Sequence, residues 1–281
     1  VQSVPVFDLH VHAAPDITAR RMDDHDVVAD YAASGFSGCV LKAHYESTVG
    51  RAATAARTQP VRVYGGIALN QHVGGVNPAA VAATLDAGGR VVWMPTADAH
   101  TQRAASLPSL CGTRTDLSPH TYAIPPKDPS SAEAARTICR MVAEVDGLLA
   151  TGHLSVPEVR WLTSTARELG VRRLLLTHPG YTVPGMPAAQ AAELAAGPGT
   201  FVEITTFQLL HQPGMTAARL ASYASRVGLG HVVLSSDAGQ PDSPSPPAAL
   251  ELLVDVLARE GLDRGALRAC AGELPEALVV P

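Results

Sequence analysis

Two histidines one residue apart, His10 and His12 in Phe7-Asp8-Leu9-His10-Val11-His12, close the first short apolar run of the chain. If that run is a β-strand, side chains at i and i+2 share a face, and both imidazoles can meet one metal ion. Alone, the pair is equally at home as a polar strand end. Further polar residues fall at comparable places, each ending an apolar run: Lys42 and His44, then His153, His178 and Asp237. Imidazole nitrogens beside a carboxylate are the donor set of zinc or a related divalent ion, and manganese and iron accept the same ligands. A single strand-end histidine is ordinarily satisfied by its neighbours. The joint placement of His10, His12, His153 and His178 with Asp237 is what points to a metal.

Such a set converges only if the runs that carry it lie side by side. Apolar stretches rich in Val, Leu and Ile recur at 5–12, 38–45, 61–69, 90–97, 147–154, 171–178, 200–206 and 231–237. Each is too short for a helix and mostly apolar on both faces, as buried parallel strands are. Helix-like segments separate them at about 23–34, 47–58, 77–87, 130–145, 156–169, 187–196, 215–227 and 246–260. Ser130-Ser131-Ala132-Glu133 and Ser155-Val156-Pro157-Glu158 both match the capping-box pattern at helix starts. Eight alternations without a linker predict an α/β fold, a single-domain (β/α)8 TIM-like barrel over residues 1–281. A doubly wound sheet is the alternative, but it would not collect the polar strand ends at one mouth.

Composition narrows the function. The chain has 281 residues, is 46% hydrophobic and carries a formal net charge of −5. It has no basic stripe, which argues against nucleic acid as a partner. No apolar run approaches the ~20 residues that span a bilayer, and the N-terminus lacks the pattern of a secretory leader, so no membrane association and a cytoplasmic location are expected. The four cysteines, Cys39, Cys111, Cys139 and Cys270, are widely spaced and read as buried thiols.

In the order and spacing of His10-Val11-His12, His153, His178 and Leu234-Ser235-Ser236-Asp237, the chain resembles the amidohydrolase superfamily of metal-dependent barrel hydrolases. The resemblance spans essentially the whole sequence. Asp8–Asp16, Val40-Leu41-Lys42-Ala43-His44-Tyr45, Val73–Pro78 and Val92-Trp93-Met94-Pro95-Thr96 resemble one branch of it and do not indicate a substrate. The resemblance implies a small-molecule hydrolase in which one ion is held by His10, His12 and Asp237, and a second, where the site holds two, by His153 and His178. Asp237 is then the general base toward water that attacks an amide or cyclic amide C–N bond. Lactone or phosphoester hydrolysis, or a metal-dependent decarboxylation, is the alternative on the same scaffold, and a non-catalytic binding barrel the third reading. His44 is the candidate for steadying the developing oxyanion. Superfamily members with two ions bridge them with a carboxylated lysine or a glutamate on strand 4, and strand 4 here offers neither. Lys42 is the inward lysine at the rim. It would either bridge two metals as a carbamate or stay an ammonium that binds an anionic substrate or orients Asp237, so one or two ions are expected.

The stretch from Asp98 to Pro129 is long for a connection inside a compact domain, which marks it as a candidate lid or, alternatively, a homo-oligomer contact. It carries His100, Arg103, Arg114, Asp116, His120, Tyr122 and Lys127. Thr96 and His100 are candidates for substrate binding. Glu203 is another, or else a support for one of the histidines. The C-terminal Glu273-Leu274-Pro275-Glu276-Ala277-Leu278 is read as structural.

Overall fold

The computed structural model describes residues 5–108 and 120–280. Eight strands form one parallel sheet in chain order: β1 (Phe7–Val11), β2 (Gly38–Leu41), β3 (Arg62–Ala68), β4 (Val91–Trp93), β5 (Leu148–Ala150), β6 (Arg173–Leu176), β7 (Thr200–Thr205) and β8 (Val232–Ser235). The sheet closes on itself. Asp237 N donates to His10 O and His12 N to Ala238 O, each at 2.8 Å, and Val11 and Ala238 form a parallel bridge. The expected (β/α)8 barrel is the fold, and all eight predicted strands form. Among the described residues, no helix is long and apolar enough to cross a membrane.

The outer layer consists of helices Asp24–Ala33, Val49–Ala55, Pro78–Asp86, Ala132–Glu144, Val156–Glu168, Ala188–Ala195, Ala217–Val227 and Pro246–Arg259, one for each predicted segment. Their starts follow from local chemistry. Asn77 accepts from Ala79 N, and proline occupies the next position, where its missing N–H costs nothing. Ser155 and Glu158 form the predicted capping box. The other predicted box does not form. A 3-10 turn at Pro129–Ser131 precedes the helix; Ser130 turns its hydroxyl to Asp128, and Ser131 donates to Ala123 O and Asp128 O. Asp128, two residues upstream, competes for the hydroxyl that a capping box would need.

The apolar interior has two parts. One lies between sheet and helices; the other fills the barrel with Phe7, Leu9, Val40, Ala68, Val91, Trp93, Leu148, Ala150, Leu175 and Val233. Leu278 and Val279 complete that inner plug from the C-terminal segment. Arg90 donates to Val279 O and Arg173 to Leu278 O and Val280 O, which fixes the segment across the N-terminal end of the barrel. With that end closed and the middle packed, space for a ligand remains at the C-terminal mouth, where a barrel of this kind builds its site.

Candidate metal centre

At that mouth the predicted strand-end residues come together, and all are nearly fully buried: His10, His12, Lys42, His44, His153, His178 and Asp237. Asp237 Oδ1 lies 3.1 Å from His10 Nε2 and 3.3 Å from His12 Nε2. One ligand atom from each of these three residues lies within 4.8 Å of the others. The second carboxylate oxygen, Oδ2, faces His178 Nε2 at 3.9 Å. The imidazoles form a continuous group: His12 stacks on His44 with centroids 4.9 Å apart, and His178 lies 5.1 Å from His153 and 6.1 Å from His10.

Backbone geometry is unusual at two of these positions. Asp237 has φ of +49° and His178 of +22°, left-handed values that cost non-glycine residues energy and persist where the surroundings impose them. Glycines clear the way for the close backbone approach. A Cβ on Gly152, next to His153, would stand 2.2 Å from Met94 O, and one on Gly239 2.2 Å from His12 O.

Each imidazole is held from behind. Glu203, on β7, presents Oε1 to His10 Nδ1 at 3.1 Å, which directs His10 Nε2 toward Asp237. Its Oε2 accepts from His178 N at 3.2 Å. Both oxygens of Glu203 are therefore engaged behind the histidines, so of the two expected roles the geometry assigns it support and not substrate binding. Thr96 is likewise spent within the protein. Its hydroxyl accepts from Asn70 Nδ2 at 2.7 Å and meets His44 Nδ1 at 2.9 Å, so it orients His44 and does not present a free group to substrate. His153 Nδ1 meets Gln102 Oε1 at 3.1 Å. His100 is turned away from the cluster. Its Nε2 lies 2.7 Å from Glu158 Oε2, and that carboxylate also takes Ser155 N and Ile124 N, so His100 ties the loop to its neighbouring helix and is not aimed at substrate.

The long connection between β4 and its helix is in part built into the rim. Gln71 N donates to Asp98, Tyr122 N to Asp98 O, and the short helix His100–Ala104 supplies Gln102. Residues 109–119, with Arg114 and Asp116, lie outside the described residues.

Four of the five imidazoles in the cluster suit a cation. Burial holds His12, His44, His153 and His178 below the usual histidine range, leaving neutral rings with a lone pair to donate. Burial also opposes charge on His10, but the Asp237 and Glu203 carboxylates outweigh it and raise its pKa to about 9. Asp237 is held well below the usual carboxylate range because His10 and His12 overcome the effect of its burial. Among the described residues, the buried Nδ1 atoms of His12 and His178 have no hydrogen-bond partner. Three convergent donors and a carboxylate behind one histidine fit a divalent ion with nitrogen and oxygen ligands. Lys42 is the complicating group. Its Nζ lies 2.9 Å from His10 Nε2, the nitrogen a metal would use, and 5.3 Å from the Trp93 ring centroid, and burial lowers its pKa to about 8.

Three residues that sequence reasoning did not single out support this centre. Asp8 is fully buried behind the histidines. It accepts from Tyr31 Oη at 2.6 Å, Ser236 N at 3.0 Å and His10 N at 3.2 Å, joining β1 to the segment that carries Asp237. Gln102 is the second, and Arg20, in the loop after β1, is the third. No local signal marks any of them, because each acts through a partner distant in sequence or on the loop.

A family model described as a family of unknown function, DUF6282, matches residues 5–203. The chain belongs to that family. The matched span carries every histidine of the DUF6282 centre, with Lys42 and Glu203, and stops short of Asp237. Comparison with functionally curated proteins finds no sequence match. Solved structures share the fold at low identity. An amidohydrolase from Pseudomonas aeruginosa aligns with a TM-score of 0.63 and 12% identity over 98% of this chain and 97% of its own. Organophosphorus hydrolase from Deinococcus radiodurans aligns at 0.58 and 13%, over 99% and 92%. N-acetyl-D-glucosamine-6-phosphate deacetylase from Mycobacterium smegmatis aligns at 0.56 and 16%, over 98% and 76%. The DUF6282 barrel thus shares its fold with these solved structures.

Proposed function

We propose that this protein is a metal-dependent hydrolase of a small molecule, with zinc held by His10, His12 and Asp237. The observation that carries the reading is the convergence of His10, His12 and Asp237, one ligand atom of each within 4.8 Å of the others, at the mouth of a barrel, with Glu203 fixing His10 from behind. Hydrolase names among the structural neighbours are consistent with it. A divalent ion in that position supplies Lewis acidity toward a carbonyl and lowers the pKa of water to about 7.

The chain's own groups supply the proton handling. Asp237 stays ionised, so it can take a proton from the attacking water and return it to the leaving group. Its Oδ2, turned toward His178, is the oxygen placed for that transfer. His44, held by Thr96 and stacked on His12, sits on the other side of the cluster and is the candidate to hydrogen-bond the developing oxyanion. Trp93, packed below the site, keeps water from approaching through the barrel. An amide or cyclic amide C–N bond is the proposed target.

The number of ions turns on Lys42. An ammonium 2.9 Å from a ligating nitrogen repels a dication strongly in a buried site. In the loaded protein Lys42 would therefore be neutral or carboxylated. The test is metal analysis of the purified protein joined to turnover of an amide and lactone panel by wild type and Asp237→Asn. Bound zinc and a loss of turnover of about 10²–10⁴-fold in the folded variant are expected. Near-normal turnover by Asp237→Asn would remove Asp237 as the base, and a protein that binds no divalent ion would remove the hydrolase reading.

A further inference from the structure

Between β1 and helix Asp24–Ala33 the chain makes a loop that folds over the mouth. Ala14 N bonds Met22 O and Asp24 N bonds Ala14 O at its base, Arg21 N bonds Gly239 O just beyond Asp237, and Tyr45 Oη reaches Pro15 O. Arg20 lies in this loop, next to the residue bonded to Gly239. Its side chain is only 6% exposed. Nε donates to Asp16 Oδ2 at 2.7 Å, and Asp16 is itself tied down by Thr18 N. The two terminal nitrogens of the guanidinium carry no hydrogen bond among the described residues. An arginine that is buried, held by one edge and left with an open fork is arranged to receive a planar or tetrahedral oxyanion by two parallel hydrogen bonds.

We propose that Arg20 is the anion-recognising residue of this site and that the substrate carries a carboxylate or phosphate group apart from the bond that is cleaved. The inference rests on the hydrolase reading above and names the substrate class it leaves open. Two further observations agree with it. The loop that carries Arg20 is fixed to the Asp237 segment, because Arg21 N donates to Gly239 O at 2.8 Å. Aromatic rings also stand beside His178. Tyr181 stands edge-on to His178 with centroids 5.4 Å apart and to Phe207 at 5.7 Å. Asp16 neutralises Arg20 in part, but it occupies only the Nε edge, so the fork remains directed by a fixed partner.

The experiment measures binding of inorganic phosphate and of glutarate to the zinc-loaded protein and to the chelated protein by calorimetry, for wild type, Arg20→Gln and Arg20→Lys, with metal content determined for each. Loss of one charge-assisted fork is expected to weaken at least one of these anions by about tenfold to a hundredfold in Arg20→Gln at unchanged metal content, with partial recovery in Arg20→Lys. The same loss in the chelated protein would support the assignment most directly, because no metal is then available to the anion. Binding that survives Arg20→Gln and disappears on chelation would place the anion on the metal and overturn the role of Arg20 while leaving the hydrolase reading intact. Failure of wild type to bind either anion would also overturn it. Failure of the protein to bind zinc would instead count against the hydrolase reading, and the chelated-protein measurement would still test Arg20.

Discussion

Glu203→Gln is the substitution that most sharply tests how the centre is held. The change keeps shape and volume and alters only the hydrogen-bonding pattern of a fully buried group. In the native site Oε1 takes His10 Nδ1–H at 3.1 Å and Oε2 takes His178 N–H at 3.2 Å, so both partners are donors. An amide offers one acceptor and one donor group. Whichever way it is turned, one buried N–H then faces another N–H. If the amide oxygen serves His10, the His178 backbone loses its partner; if it serves His178, His10 loses the contact that fixes its tautomer and presents Nε2 to the ion.

An unsatisfied buried donor costs about 1–3 kcal/mol, and loss of a carboxylate behind a metal-bound histidine lowers metal affinity about 10–100-fold. With unfolding entropy of about 2.1 cal/mol/K per residue, the first cost corresponds to a fall in Tm of about 2–5 °C for the metal-free variant of this 281-residue chain. Zinc affinity is measured by competition with a chromophoric chelator, and Tm by calorimetry on chelated protein. A zinc Kd within twofold of wild type would refute the assignment of His10 as a ligand oriented by Glu203. A lowered Tm with unchanged affinity would leave Glu203 as a structural acid only.

Chelation should lower the Tm of wild type by about 5 °C when free zinc is first held at a hundred times its Kd, since such binding stabilises the folded state by about 2.7 kcal/mol; an unchanged Tm would mean that the folded chain does not bind the ion. Protein loaded in the presence of ¹³C-bicarbonate should show a carbamate carbon resonance that Lys42→Met abolishes, together with two ions per chain. One ion and no such resonance would make the site mononuclear with Lys42 as a neutral amine. Tyr31→Phe should destabilise the protein by about 1–3 kcal/mol in denaturant titration, because the 2.6 Å bond to Asp8 is fully buried; a midpoint equal to wild type would show that Asp8 is satisfied without it.

Much of the barrel was legible because its strands are buried on both faces, so eight short apolar runs stand out against polar, helix-forming segments. The candidate ligands were legible for a related reason. A strand end is where an apolar run must meet water, and His10, His12, Lys42, His44, His153, His178 and Asp237 are the polar residues placed there. What could not be read is the pairing within the layer that orients them, although Glu203 is legible as a support for one of the histidines. Glu203 and His10 are 193 positions apart, and Gln102 reaches His153 from a loop. Thr96 and His100 looked like mouth residues because they follow β4, yet Asn70 and Glu158, brought to them only by folding, occupy their hydrogen-bonding atoms. Arg20 escaped notice because its meaning depends on Asp16 and on the path of a loop.

The opening histidine pair shows the same limit at the scale of one strand. Period-two alternation places His10 and His12 on a common face, and they share one. It also places Phe7 and Leu9 opposite them, so an unbroken strand that buried Phe7 and Leu9 in the barrel would turn both imidazoles outward to the helices. The register resolves this conflict. Asp8 lies opposite Cys39 and Val11 opposite Leu41, three steps along β1 against two along β2, so one extra residue is inserted. This bulge lets Leu9 pack with the inner plug while His10, the next residue, also faces inward near Trp93, and Val11 turns to the outer core. Asp8, left pointing outward, is free to take Tyr31 from the first helix and the amides of Ser236 and His10. The irregularity that aims the metal ligands thus also creates the buried acid that secures β1 to the Asp237 segment. A sequence pattern of apolar and polar residues contains both faces of that strand but not the point at which they exchange.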